Sequence, residues 1–158
     1  MKTIDITGKN YTGKWTNTRT ACRGLVIDGS KILLSYENVT DKYMIPGGGV
    51  EGDESYSECC IREIAEETGK VVTTSECLLE INEYYLDWKF TNKYFICKAV
   101  GDTETKRTPD ETKVDMRPKW LSIDDIKSIF SKYADYADTD DTRSGMYLRE
   151  YTALKELL

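Results

Sequence analysis

Between Pro46 and Val71 the chain reads PGGGVEGDESYSECCIREIAEETGKV, three glycines leading into an amphipathic, glutamate-rich stretch. The glycines permit a sharp turn and leave backbone carbonyls approachable. Ser55, with Glu58 three residues on, forms a capping box that starts a helix near Ser55. Gly69 stands where a left-handed residue would stop it. The spacing therefore predicts a helix of about four turns at a pitch of roughly 5.4 Å. At about 100° per residue, Ser57, Cys60, Ile61, Ile64 and Thr68 gather on one side, and Cys59, Glu63, Glu66 and Glu67 on another. One face is small and apolar; the other is acidic.

Glutamates at i, i+3 and i+4 repel one another by about a few tenths of a kcal/mol per pair. Such a face is either solvated or compensated. A hard divalent cation is the simplest compensation, because Mg2+ or Mn2+ prefers carboxylate and carbonyl oxygens and keeps positions open for water and phosphate.

At 158 residues, 39% hydrophobic and 11% aromatic, the chain is expected to form one folded domain, residues 1–158. Residues 1–17 are expected as an added N-terminal hairpin and residues 143–158 as a C-terminal helix. No apolar run approaches a bilayer span, and MKTIDITGKN lacks an apolar signal-peptide core, so a cytoplasmic location without membrane partners is expected. The net charge of -6 disfavours a nucleic-acid polymer as partner. A small phosphorylated ligand stays compatible, since bound cation supplies local positive charge. There is no histidine, which excludes histidine triads and the ordinary zinc sites. Cys22, Cys59, Cys60, Cys77 and Cys97 lack CxxC spacing and suit reduced, buried thiols, with Cys59 beside the acidic face.

Along the chain, Thr18–Ile27 and Lys31–Tyr36 read as strands around a turn at Asp28-Gly29-Ser30, and Asp41–Ile45 as a short strand feeding the glycines. Beyond the helix, Lys70–Glu83 and Tyr84–Val100 have strand composition with a turn in Asp87–Asn92. Gly101–Lys113 reads as a polar loop and Val114–Leu121 contains a strand. A helix capped by Ser122 runs to about Tyr133; Ala134–Thr142 is a loop, and a last helix runs from Gly145 to Leu158. Strands and helices in this order predict an α+β (mixed α/β) fold.

From Gly48 the segment resembles the signature of the Nudix hydrolases, G-x5-E-x7-R-E-U-x-E-E-x-G-U with U aliphatic. Gly48, Glu54, Arg62, Glu63, Ile64, Glu66, Glu67 and Gly69 fall in register, and only Lys70 departs. Seven positions that each demand one residue type, at roughly 7% usage, coincide by chance about once in 10^8 starting points. The resemblance implies an α/β/α sandwich with a mixed sheet against which the motif helix packs. It also implies divalent-metal-dependent hydrolysis of a phosphoanhydride bond in a nucleoside diphosphate linked to a group X. X would make the substrate a nucleoside triphosphate, a dinucleoside polyphosphate or a nucleotide sugar. A nucleotide-sensing module without turnover is the alternative. Glu63, Glu66 and Glu67 match the metal ligands, with the Gly47 or Gly48 carbonyl nearby, while Glu54 and Arg62 match positions that brace loop and helix and, with Gly47, Gly48 and Gly69, carry its structure.

Without histidine the general base is a carboxylate, a metal-bound hydroxide or a perturbed lysine. Glu63 is one candidate. The resemblance also implies a second acid from a loop before a late strand; among Asp110, Glu111 and Asp115, Glu111 is the choice. Arg19 and Arg23 alternate along the first core strand and are candidates for contact with a phosphate or base, or are ordinary structural arginines. Tyr84, Tyr85, Trp88 and Tyr94 offer aromatic faces, with Tyr85 the candidate to stack a nucleobase. The segment Glu83-Tyr84-Tyr85-Leu86 has no proline, which by the same resemblance mildly disfavours ADP-ribose. A monomer or homodimer is expected.

Overall fold

The turn Gly29-Ser30 joins strand β2 (Asn17–Asp28) to β3 (Lys31–Glu37), and Gly29 supplies the positive φ of 58° that so tight a hairpin demands. The computed structural model describes residues 1–158. Only the base of this hairpin is paired, Ile27 with Ile32 and Asp28 with Lys31. Beyond it the two strands part and each collects its own neighbours.

On the β2 side, β8 (Trp88–Asp102) runs parallel to β2, from Asn17 opposite Trp88 to Val26 opposite Cys97. Strand β7 (Leu79–Tyr85) lies antiparallel to β8, and β1 (Lys2–Thr7) closes that edge parallel to β7. Strand β6 (Lys70–Thr74) pairs with the far end of β8. On the β3 side, β9 (Met116–Ser122) and β4 (Lys42–Met44) both run antiparallel to β3. Strand β5 (Gly47–Gly49) fills the fork, antiparallel to β2 through Ala21/Gly49, Cys22/Gly48 and Arg23/Gly47. The sheet is mixed.

Helices cover both faces, which is why every residue of β3 from Ile32 to Glu37 is buried. Ile32 and Leu34 join Leu25, Ile81, Tyr94, Phe130 and Leu154 in one core, against α3 (Ile123–Ser131) and α4 (Asp141–Leu157). Leu33 joins Cys22, Val26, Cys60, Ile64 and Phe95 in a second core, beneath α1 (Tyr56–Thr68). The result is the α+β sandwich that the order of elements predicts. Residue period two in the strands sends alternate side chains to opposite cores, and neither core alone would hold the sheet. All five cysteines are free thiols. No helix is long and apolar enough to cross a membrane.

Local signals place α1 well. Glu58 N–H donates to Ser55 Oγ at 3.1 Å, Ser55 N–H donates to the Glu58 carboxylate at 2.7 Å, and Gly69 ends the helix at φ 73°. Four expectations need correction. Residues 1–17 do not form a hairpin: β1 pairs with β7, and the amides of Gly8, Thr12 and Thr16 donate to Tyr84, Leu86 and Asp87, so the segment follows β7 and its turn. That turn is the tighter Leu86-Asp87, with Leu86 at φ 52°, because Lys89–Asn92 are consumed in pairing with β7. Gly101–Lys113 is not all loop: β8 continues to Asp102 against β6, and a capping box of Thr108 and Glu111, with Pro109 at the first helical position, opens α2 (Pro109–Lys113). The last helix starts at Asp141 rather than Gly145, because the Asp140 side chain accepts the Arg143 N–H at 3.0 Å.

Ser55→Ala removes one half of the α1 capping box. Urea unfolding should show a loss of about 1 kcal/mol with an unchanged slope; an unaltered midpoint would contradict the cap's role.

Candidate active site

The glycine strand is fixed from both ends. At its entry the Pro46 carbonyl accepts Gly24 N–H at 3.1 Å, and the Ile45 carbonyl accepts Arg23 Nη1 at 3.2 Å. A side chain would not fit: a Cβ on Gly47 would lie 2.1 Å from the Cys22 carbonyl oxygen, and one on Gly48 would lie 2.5 Å from the Glu63 carboxyl carbon. Backbone alone passes between β2 and α1, so the Glu63 carboxylate rests against Gly48. The Cys59 thiol, one turn earlier on α1, donates to the Gly48 carbonyl at 3.5 Å.

Arg62 organises the exposed side of this arrangement. Its Nε and Nη2 reach the two oxygens of Glu54 at 3.0 and 2.7 Å, and Nη2 also donates to the Gly49 carbonyl at 3.0 Å. Nη1 donates to Glu63 at 2.8 Å and Glu66 at 3.2 Å. The guanidinium beside Glu54 holds that carboxyl down to about 2. Arg62 thus supplies the positive charge that the acidic helix face requires.

Glu67 differs: it is 4% exposed, and its one side-chain partner is the buried Ser35 on β3, whose hydroxyl donates at 2.7 Å. Burial pushes its carboxyl up to about 8, the Ser35 hydrogen bond opposing and the charges of Glu111 and Glu63 adding. Burial raises Glu63 as well, with Arg62 pulling the other way. A solvated acidic face is therefore not what the fold builds.

A second segment reaches the same place. Residues 103–108 wrap the C-terminal end of α1, where helix carbonyls lack intrahelical donors. Thr103 N–H donates to Gly69, Lys106 N–H to Glu66, and Arg107 Nε and Nη2 to the Glu67 carbonyl at 3.3 and 3.2 Å. So strapped, the chain enters α2 beside the glycine strand and presents Glu111, one of whose oxygens accepts the Thr108 N–H at 2.8 Å. A cleft of about 410 Å3 results, lined by Arg19, Gly48, Glu63, Glu67, Thr108 and Glu111 among others.

Not every candidate residue arrives there. Glu66 sits beside the cleft on Arg62. Arg23 spends Nε on Asn92 at 2.9 Å and Nη1 on Ile45, so it braces the sheet rather than lining the cleft. Tyr85 packs on Gly8 and Gly145 and does not line the cleft. Trp88 stacks on Phe90 at 5.3 Å, and Tyr94 is buried. Ser35 and Arg107 contribute without a sequence signal of their own; the Thr108–Glu111 capping box, by contrast, was readable.

The donors around the cleft are carboxylates and a backbone carbonyl, all oxygen, and the charges of Glu111 and Glu63 add to what burial does to Glu67. That chemistry fits a hard divalent cation. No three acidic side chains converge into a ready-made ion cage, and Arg62 occupies the space between Glu63 and Glu66.

A helix-covered mixed sheet with a glutamate helix held beneath a glycine strand defines a recognisable class of domain. The NUDIX domain family matches residues 18–141, and the chain belongs to the Nudix family. A Caenorhabditis elegans protein provisionally named nudix hydrolase 1 is 30% identical over 105 residues, covering 64% of this chain and 27% of that protein. The chain thus spans about a quarter of that relative's length. Among solved structures, a NUDIX hydrolase from Nitrosomonas europaea superposes with a TM-score of 0.61 at 18% identity, over 89% of this chain and 92% of the other. An ADP-ribose pyrophosphatase from Streptococcus suis gives 0.51 at 20% identity, over 67% and 75%. At those identities the likeness is one of fold.

The raised Glu67 carboxyl has a pH signature. A group whose native pKa moves from 4.5 to about 8 contributes stability that is present below 4.5 and lost as pH rises through about 8. In cation-free buffer, Glu67→Gln should gain thermal stability relative to the parent progressively across that window. A difference in Tm that is flat with pH would contradict the burial argument.

Proposed function

We propose that this chain is a divalent-cation-dependent hydrolase that cleaves a phosphoanhydride bond in a nucleoside diphosphate linked to X, where the substrate is a nucleoside triphosphate, dinucleoside polyphosphate or nucleotide sugar. The observation that carries the reading is the cleft itself: Glu63 and Glu67 from α1 and Glu111 from α2 line one opening with the Gly48 backbone and Arg19.

Glu63, Glu66, Glu67 and the Gly48 carbonyl would hold Mg2+ or Mn2+, which when bound polarises the phosphate, offsets leaving-group charge and acidifies coordinated water. Arg19 stands at the rim beside Gly49, where its guanidinium suits the phosphate oxygens of a substrate. Glu111 is the best-placed base. It lies outside the Arg62 cluster, and one of its oxygens is held by the Thr108 amide, which fixes its direction and leaves the other to take a proton from water. Glu63 is the less suitable base, because its carboxylate is already engaged by Arg62 at 2.8 Å. Ser35 orients Glu67 from beneath.

Incubation of a substrate panel with Mg2+ or Mn2+ in 18O water should release a labelled product and locate the attacked phosphorus. Glu111→Gln should lower kcat by about 10^2 to 10^4-fold with little change in KM. Glu67→Gln should abolish most cation-dependent turnover, and full retention would remove it from the site. Binding without release of nucleoside monophosphate or phosphate would make the domain a nucleotide sensor instead.

A further inference from the structure

Helix α4 carries Arg143, Tyr147 and Glu150 at i, i+4 and i+7, one stripe of the helix. The stripe faces the backbone that leads into the glycine strand. Arg143 donates to the carbonyls of Thr40 and Asp41. Tyr43 N–H donates to the Tyr147 hydroxyl at 3.1 Å, and Ile45 N–H donates to Glu150 at 2.7 Å. Strand β4 is paired only with β3, so it is an edge. The outward amides of Tyr43 and of Ile45, just past its end, would otherwise lack partners. Side chains of α4 stand in for the missing strand.

Glu150 is fully buried, and its second oxygen accepts Tyr94 Oη at 3.0 Å and Arg149 Nε at 2.8 Å. From there the contacts close on themselves. Arg149 Nη1 donates to Glu83 at 3.3 Å, Glu83 accepts Asn92 Nδ2 at 2.9 Å, Asn92 accepts Arg23 Nε at 2.9 Å, and Arg23 Nη1 donates to the Ile45 carbonyl at 3.2 Å. The ring begins at the Ile45 N–H and ends at the Ile45 C=O. It therefore fixes both polar groups of the residue directly before Pro46 and the glycines. An apolar side chain at position 150 could fill the space and bury as well, but could not accept that N–H. Since Gly48 must lie against the Glu63 carboxylate, a shift of Ile45 is transmitted to the cleft within three residues.

We infer that Glu150 is a positioning residue: through this ring the C-terminal helix sets where the glycine strand stands relative to Glu63 and Glu67. The inference rests on the cleft being the reaction site. It acts on orientation rather than on contact with substrate, so its loss is felt in kcat more than in KM. Small displacements of reacting groups cost about 10^2-fold in rate.

The test sets Glu150→Gln against Leu154→Ala, a core truncation one turn further along α4 that makes none of the ring's hydrogen bonds and does not line the cleft. Amide hydrogen exchange and steady-state kinetics on the best panel substrate are measured for both. Glu150→Gln should speed exchange across residues 45–50 and lower kcat by about 30-fold, with KM within about threefold of the parent. Leu154→Ala should lose at least as much Tm while exchange at 45–50 and kcat stay near the parent's. Equal kcat losses in the two variants, or unchanged exchange at 45–50 in Glu150→Gln, would overturn the inference. If Glu150→Gln does not fold, Tyr147→Phe carries the same test through the Tyr43 amide, with exchange at 43–45 required to rise. If the parent turns over no panel substrate, the proposed activity fails while exchange still decides whether Glu150 holds the strand.

Discussion

The Glu63 carboxylate lies so close to Gly48 that a methyl group there would sit 2.5 Å from its carboxyl carbon. This contact between a bare backbone and a charged side chain sets the distance between α1 and the fork of the sheet. Gly47 enforces the same limit on the other side, against the Cys22 carbonyl. With the strand so confined, its neighbours have little choice. Arg62 must reach over to the Gly49 carbonyl, Glu63 must turn toward the cleft, and Glu67 is carried under the sheet to Ser35. The motif is local in sequence because the helix and strand it joins are adjacent. The space it needs is made by β2 and β3, which diverge after two paired residues.

Three glutamates on one helix would be unfavourable if each faced the same medium. The fold separates their environments instead. Glu66 and Glu63 share Arg62, which remains firmly protonated because Glu54 binds it from the opposite side. No cationic side chain pairs with the Glu67 carboxylate, which is held by burial and one hydroxyl. The cluster is therefore undercharged with positive groups at its buried end and balanced at its exposed end. That asymmetry aims the unmet demand for positive charge into the cleft.

Helix α1 was legible because its determinants lie within fifteen residues: the Ser55–Glu58 box, the apolar stripe and Gly69. The sandwich followed from the order of strands and helices. Arg23 and Tyr85 were candidate substrate contacts, yet neither lines the cleft. Strand alternation gives the face a residue shares, not what stands opposite it. Arg23 meets Asn92, supplied by a strand about seventy positions away, and Tyr85 meets Gly145 across an interface that no periodicity encodes. Helix α4 shows the limit most clearly. Its inward stripe includes arginine and glutamate, which pattern reading assigns to solvent, because it packs on an edge strand that offers amides rather than side chains.

That edge has a consequence for how the domain divides its tasks. The carboxylates of the cleft come from α1 and α2, whose positions are set by capping and by the strap of residues 103–108. Alignment comes from elsewhere: the backbone entering the glycine strand is held by α4 on one side and by β2 on the other. A site assembled this way depends on the strap of residues 103–108 for the place of α1 and on the ring through Glu150 for the place of the glycine strand. It tolerates little at Ile45, where the amide is bonded to the buried Glu150 and the carbonyl to the half-buried Arg23.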